Sequence, residues 1–177
     1  FGAMRVAGPD IWGEPKDRAA MRELLVRAFE LGHNFFDTAD SYGPDVSETL
    51  IAEALHPYPE GLVVATKGGL TRQGPSRMSP NGHPDYLRSA CEGSLRRLGT
   101  DYVDLYQVHA WDPDTPIEET MAALDGFVRS GKVRYIGCSN YTGSQIVEAQ
   151  WVAERNHGTP FVSLQPNYSL LARDIET

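Results

Sequence analysis

Apolar positions along this chain follow two alternating rhythms, short continuous runs and stripes at three- and four-residue steps. Met21, Leu24, Leu25, Ala28 and Phe29 form the first stripe, which predicts a helix closed by Gly32, with Pro15 in its first turn. Asn34-Phe35-Phe36-Asp37 then reads as a strand that delivers a carboxylate to a loop, and Tyr42 and Gly43 follow within that loop. A second stripe, Val46, Leu50, Ile51, Ala54 and Leu55, stops at His56-Pro57-Tyr58-Pro59. Leu62 to Thr66 is a short buried strand ending at Lys67, and Thr71 to His83 is irregular, rich in Gly, Pro, Ser and Arg. Leu87, Ala90, Cys91, Leu95 and Leu98 mark a helix that ends at Gly99.

Tyr102 to Val108 is the next strand, and it leads into His109. Thr115-Pro116-Ile117-Glu118 is a capping-box pattern for a helix running to Gly131. Val133 to Cys138 reads as a strand, Thr142-Gly143-Ser144-Gln145 as a cap, Ile146 to Arg155 as a helix and Phe161 to Gln165 as a strand. Phe1 to Val6 also has a strand's length. Strand and helix therefore alternate through the whole chain, which demands a parallel sheet with helices outside it.

Two architectures satisfy that alternation, an open doubly wound sheet and a (β/α)8 barrel of the TIM type. No Gly-rich phosphate fingerprint follows any strand, which counts against the first. Polar residues stand at the carboxyl ends of several different strands, which is how barrel enzymes build one site from many loops. We therefore expect a single α/β barrel domain over residues 1–177. A complete barrel needs roughly 250 residues, so this chain is expected to hold six of eight units and to leave a free sheet edge at each end. Free edges favour self-association.

Composition narrows the function classes. A net charge of −8 without a basic cluster argues against nucleic acid and anionic membrane surfaces, and no apolar run approaches a membrane span. With no charged-then-apolar leader, the reading is a soluble, cytoplasmic protein in which Cys91 and Cys138 stay reduced. Asp112 and Asp114 after His109 are too weak a pattern to indicate a metal site, and none is expected. Asp40 reads as a turn or cap residue, and His33, His56, His83 and His157 as surface residues at element boundaries.

Phe36-Asp37-Thr38-Ala39-Asp40-Ser41-Tyr42-Gly43, Ala65-Thr66-Lys67, Asp104-Leu105-Tyr106-Gln107-Val108-His109, Ile136-Gly137-Cys138-Ser139-Asn140 and Leu164-Gln165-Pro166-Asn167-Tyr168 resemble, in order and spacing, the aldo-keto reductase superfamily. That resemblance implies reduction of small aldehydes or ketones with NADP(H), NAD(H) being the other nicotinamide candidate. It implies a catalytic set of Asp37, Tyr42, Lys67 and His109. Asp37, Ser139, Asn140, Gln165 and Tyr168 would contact the cofactor, the amides at its carboxamide and Tyr168 beneath its ring. Trp12, Tyr42, His109 and Trp111 would line the substrate pocket.

The residue types suit that chemistry. Carbonyl reduction needs a hydride on carbon, which the nicotinamide carries, and a proton on oxygen. A free phenol near pKa 10 is a poor donor-acceptor at neutral pH, so the Lys67 ammonium is expected to lower the pKa of Tyr42, with Asp37 holding the lysine charged. Taken alone, Lys67 is an exposed lysine and His109 a structural histidine; the ordered set lifts both. Two other classes compete: a cofactor-binding or regulatory barrel without turnover, and a Schiff-base aldolase using Lys67.

Overall fold

In the computed structural model, which describes residues 1–176, short 3-10 turns at Ala3–Val6 and Pro9–Ile11 precede the first helix. The chain then runs α1 (Arg18–Glu30), β1 (Phe35–Asp37), α2 (Val46–Leu55) and β2 (Val63–Gly68). Next come β3 (Leu70–Gly74), β4 (Arg77–Pro80), α3 (Pro84–Leu98), β5 (Val103–Val108) and α4 (Ile117–Arg129), followed by β6 (Val133–Ser139), α5 (Gly143–Arg155) and β7 (Leu164–Gln165).

The main sheet has the order β1-β2-β5-β6-β7, parallel throughout. Every new strand is added to the same side of the last. Because strand-helix-strand crossovers are right-handed, all the helices must then fall on one face of the sheet. That is the wall of a barrel, and it excludes the doubly wound alternative, in which helices cover both faces. The two faces differ accordingly. Phe36, Tyr106, Ile136 and Cys138 are fully buried beneath the helices, whereas Phe35 and Tyr135, on the alternate face, are 44% and 58% exposed.

Several helix ends follow their sequences closely. Gly99 caps α3 with φ at 65°, and Thr142 with Gln145 forms the expected capping box of α5. Others need correction. Phe1 to Val6 is not a strand: only Gly2 bridges Asp37, and the chain then coils because Ala3 and Val6, three residues apart, are buried together, with the Ser47 hydroxyl donating to Ala3 O. The stretch read as irregular from Thr71 folds back as a hairpin, with Thr71 opposite Ser79 and Arg72 opposite Met78.

Pro15 lies outside its helix, since Asp17 caps α1 by accepting from the Ala20 N–H at 2.9 Å. Thr115 does not cap α4. Its hydroxyl is committed to Asp112 Oδ2 at 2.7 Å, and Pro116 occupies the cap position. The last strand is shorter than expected, although Val162 N–H still donates to Ile136 O. Cys91 and Cys138 are buried and unpaired. No helix among the described residues is long and apolar enough to cross a membrane.

Candidate active site

Parallel strands bring their carboxyl ends to one rim, so Asp37 at the end of β1, Lys67 near the end of β2, and His109 and Asn140 just beyond β5 and β6 share an edge of the sheet. Lys67 is fully buried. Its ammonium donates to both oxygens of Asp37, at 2.7 and 2.8 Å, and to Thr38 O at 2.9 Å. All three of its donors are thereby used. A lysine so placed has neither the free amine nor the access a Schiff-base nucleophile needs, which removes the aldolase reading.

The ring of Tyr42 lies 5.3 Å from the Lys67 ammonium, centroid to nitrogen. His109 meets the same ring edge-on, with centroids 5.7 Å apart and planes at 79°. Backbone bonds fix this arrangement: Asp40 N–H donates to Lys67 O, and His109 N–H to Gly68 O. Ser41, 4% exposed, lies 3.3 Å from His109 Nδ1 through its hydroxyl. The other imidazole nitrogen, Nε2, has no partner among the described residues.

Burial dominates the electrostatics. It pushes His109 down to about 3, with Lys67 adding to the effect, so the imidazole is neutral at physiological pH. It also lowers Lys67, against which Asp37 holds the ammonium charged. Tyr42 moves the other way from the expectation: burial, then the carboxylates of Asp37 and Asp40, raise the phenol above its ordinary value. Geometry explains why Lys67 does not offset this. Both oxygens of Asp37 already sit on the ammonium, so the phenol faces a neutralised pair and makes no hydrogen bond to the lysine.

Around the fourth strand end, Asn140 adopts a left-handed backbone (φ 56°), which its short amide tolerates. Its Nδ2 donates to His109 O at 2.9 Å and to Ser139 Oγ at 3.2 Å, and Ser139 donates in turn to Gln165 O at 2.9 Å. Ser139 is thus a brace. Asn140 Oδ1 and the whole exposed amide of Gln165 have no partners among the described residues. The free oxygen of Asn140, next to His109, and the uncommitted amide of Gln165 on the outer strand offer an acceptor and a donor-acceptor pair, groups that fit the carboxamide of a nicotinamide. Tyr168 is not brought to the cluster; it is 57% exposed and its hydroxyl donates to Glu176 Oε1 at 2.6 Å.

Trp12 reaches the site through a backbone bridge to Gly43, next to Tyr42. Trp111 packs edge-on against Tyr141 at 5.3 Å, two residues past His109. Asp112 is a turn-former: its carboxylate accepts from Gly82 N–H, Asp114 N–H and the Thr115 hydroxyl. No cluster of three or more His, Cys, Asp or Glu among the described residues is arranged to hold a metal.

Sequence reading missed three things. Ser41 as the partner of His109 was signalled only by its place beside Tyr42. Asp40 stands in a turn, as its sequence reads, but it is only 8% exposed there, with Oδ1 unpartnered. Behind it a fully buried Glu48 accepts from Thr66 Oγ1 and, at 2.6 Å, from Arg97 Nε. Nothing local in the sequence marks that network, because its members come from α2, β2 and α3.

Comparison with known proteins adds to this geometry. The model of the aldo/keto reductase family matches residues 1–177. An uncharacterized oxidoreductase of Schizosaccharomyces pombe is 46% identical over 99% of this chain and 55% of its own length. A probable aldo-keto reductase of Glycine max is 38% identical over 99% of this chain and 49% of its own. Among solved structures, a thermostable aldo-keto reductase in complex with the inhibitor epalrestat superposes with a TM-score of 0.85 at 33% identity, covering 99% of this chain and 60% of that one. The chain therefore spans about half the length of the curated relatives it matches, and its sheet and helices form the corresponding part of a TIM-type barrel.

Proposed function

Given that the chain belongs to the aldo/keto reductase family, we propose that its cluster reduces small-molecule aldehydes or ketones to alcohols with Tyr42 as the proton donor. Four groups meeting around one phenol carry this reading: the Lys67–Asp37 pair on one side of Tyr42, His109 edge-on to it, and Ser41 behind the histidine. A bound dihydronicotinamide supplies the hydride. NADP(H) is assigned on the resemblance, and NAD(H) is the comparison to run beside it.

Each residue then has a task. With the Ser41 hydroxyl donating to Nδ1, the neutral His109 carries its proton on Nε2 and hydrogen-bonds the carbonyl oxygen, aligning the carbonyl carbon for attack. Tyr42 gives its proton to that oxygen as negative charge builds there. The raised phenol keeps this proton at rest and releases it only to a developing alkoxide. Lys67 stabilises the phenolate left behind, at a distance and without a hydrogen bond, and Asp37 keeps the lysine charged and in place. Gln165 and the free oxygen of Asn140 hold the carboxamide, and Ser139 fixes Asn140. Trp12, and Trp111 on the histidine side, bound the substrate; Tyr168 is assigned to the nicotinamide ring by resemblance alone. A cytoplasmic location accords with two unpaired cysteines. Self-association through the outer strand β7 is the partner interaction this sheet offers, because the outer side of β1 is already bonded to Phe1.

Oxidation of NADPH by the purified chain, with a panel of aromatic and aliphatic aldehydes, tests the proposal against Tyr42→Phe. Aldehyde-dependent oxidation that disappears in the variant is expected. Cofactor binding without turnover in the parent would favour the binding-protein reading, and turnover undiminished in Tyr42→Phe would remove Tyr42 as the acid.

A further inference from the structure

Arg72, on β3, holds more of the site together than any residue in the cluster. A guanidinium has five N–H donors, and here they meet five backbone carbonyls. Nη1 donates to Ile11 O at 2.7 Å and Ser41 O at 3.1 Å; Nη2 donates to Asp10 O at 2.5 Å and Pro75 O at 2.6 Å; Nε donates to Gly74 O at 3.3 Å. The guanidinium also stacks over the Trp12 ring, 5.5 Å from its centroid. Three segments far apart in sequence are thereby tied to one charge: the turn before α1, the loop carrying Ser41 and Tyr42, and the hairpin itself.

The turn it grips is strained. Asp10 and Ile11 both have positive φ, 55° and 59°. For a β-branched residue such as Ile11 this is a backbone outlier that persists only where its surroundings over-determine it. Both of their carbonyls point at Arg72. Ile11 O also accepts from Gly43 N–H at 3.1 Å, and Gly13 N–H donates to Gly43 O at 2.6 Å, so the strained turn is zipped to the residue after Tyr42.

We propose that Arg72 is a positioning residue that sets the mouth of the site. Its charge holds Trp12 against the Tyr42 loop and fixes the backbone of Ser41, whose hydroxyl orients His109. The functional half of this proposal rests on the reductase reading; the structural half does not. An ammonium offers three donors from one point and cannot reproduce the fork, so lysine is expected to restore only part of the clamp.

The test compares Arg72→Met and Arg72→Lys with the parent chain in amide hydrogen exchange and in aldehyde kinetics. In Arg72→Met the Gly13 and Gly43 amides should exchange about tenfold to a hundredfold faster, as expected for lost charge-assisted bonds, while amides of β2 and β5 keep the parental rate. KM for the aldehyde should rise about tenfold, the dissociation constant of NADPH should stay within about twofold, and Arg72→Lys should fall between. Parental exchange at Gly13 and Gly43 in Arg72→Met would overturn the proposal, as would loss of protection spread over the whole sheet. If the parent turns over no aldehyde but its Arg72→Met form shows the local exchange pattern, the clamp stands and the reductase reading fails. A rise in the NADPH dissociation constant equal to that in KM would overturn the role at the substrate mouth.

Discussion

Replacing Asp40 by Asn should stabilise the protein, increasingly so as pH rises towards 8. Asp40 is 8% exposed and its Oδ1 has no partner. Glu48 of α2 and Asp45 face it with like charge; Arg97 of α3 and the Ser41 N–H oppose them, and the Tyr86 phenol lies close by. Burial, then Glu48, carries the carboxyl from an ordinary 3.8 up to about 8, so it is protonated at neutral pH. The sign follows from the unfolded chain, which ionises near 3.8 while the native state does not. Below that pH the group makes no difference; from there to about 8 the unfolded state gains about 1.4 kcal/mol per pH unit.

At neutral pH the accumulated penalty is about 4 kcal/mol, a large share of a domain's total stability. Asn keeps the shape and does not titrate. Urea unfolding of both proteins at several values between about pH 4.5 and pH 8 should therefore show the variant gaining on the parent by about 1.4 kcal/mol per pH unit. A difference that stays flat with pH would show that the carboxyl ionises normally in the native state, and the reasoning about its burial would be wrong.

Breaking the buried pair should be costly from one side only. Lys67→Met should lose about 3–5 kcal/mol by leaving Asp37 unpaired, and adding Asp37→Asn should recover part of that in a double-mutant cycle by chemical unfolding. His109 should not titrate between about pH 5 and pH 9, since its imidazole pKa is held near 3. Nuclear magnetic resonance of its ring protons should be flat there, and the stability that the neutral ring represents should fall as pH drops from about 6.5 towards 3. Gly68→Ala would put a methyl 2.0 Å from the buried Tyr106 hydroxyl. It should cost about 1–3 kcal/mol, and Tyr106→Phe, which removes an unpartnered hydroxyl, should relieve part of that loss in thermal unfolding.

What could be read from the chain depended on how local its cause was. The apolar stripe of α2 gave its bounds correctly, because Val46 to Leu55 is set by one face and by the break at His56-Pro57. The hairpin of β3 and β4 was missed because Arg72, Gln73, Arg77 and Ser79 break any alternation of apolar residues between Leu70 and Met78. Phe1 to Val6 failed as a strand for the opposite reason, since the spacing of its buried residues is three. In the site, Asp37, Tyr42, Lys67 and His109 were legible because each ends a strand or follows one closely. Asp40, Glu48 and Arg97 were not, because burial comes from elements distant in sequence. The same distance misled the expectation for Tyr42, whose phenol is raised first by burial and then by the carboxylates of Asp37 and Asp40.

The most direct test of the central claim is a single turnover of an aldehyde with NADPH deuterated at the transferring position of its ring. Deuterium is expected on the carbinol carbon of the product with the parent chain, and transfer at least about a hundredfold slower with Tyr42→Phe, the scale of one positioned acid. Alcohol formed without deuterium, or deuterium transferred as fast without the phenol, would contradict it.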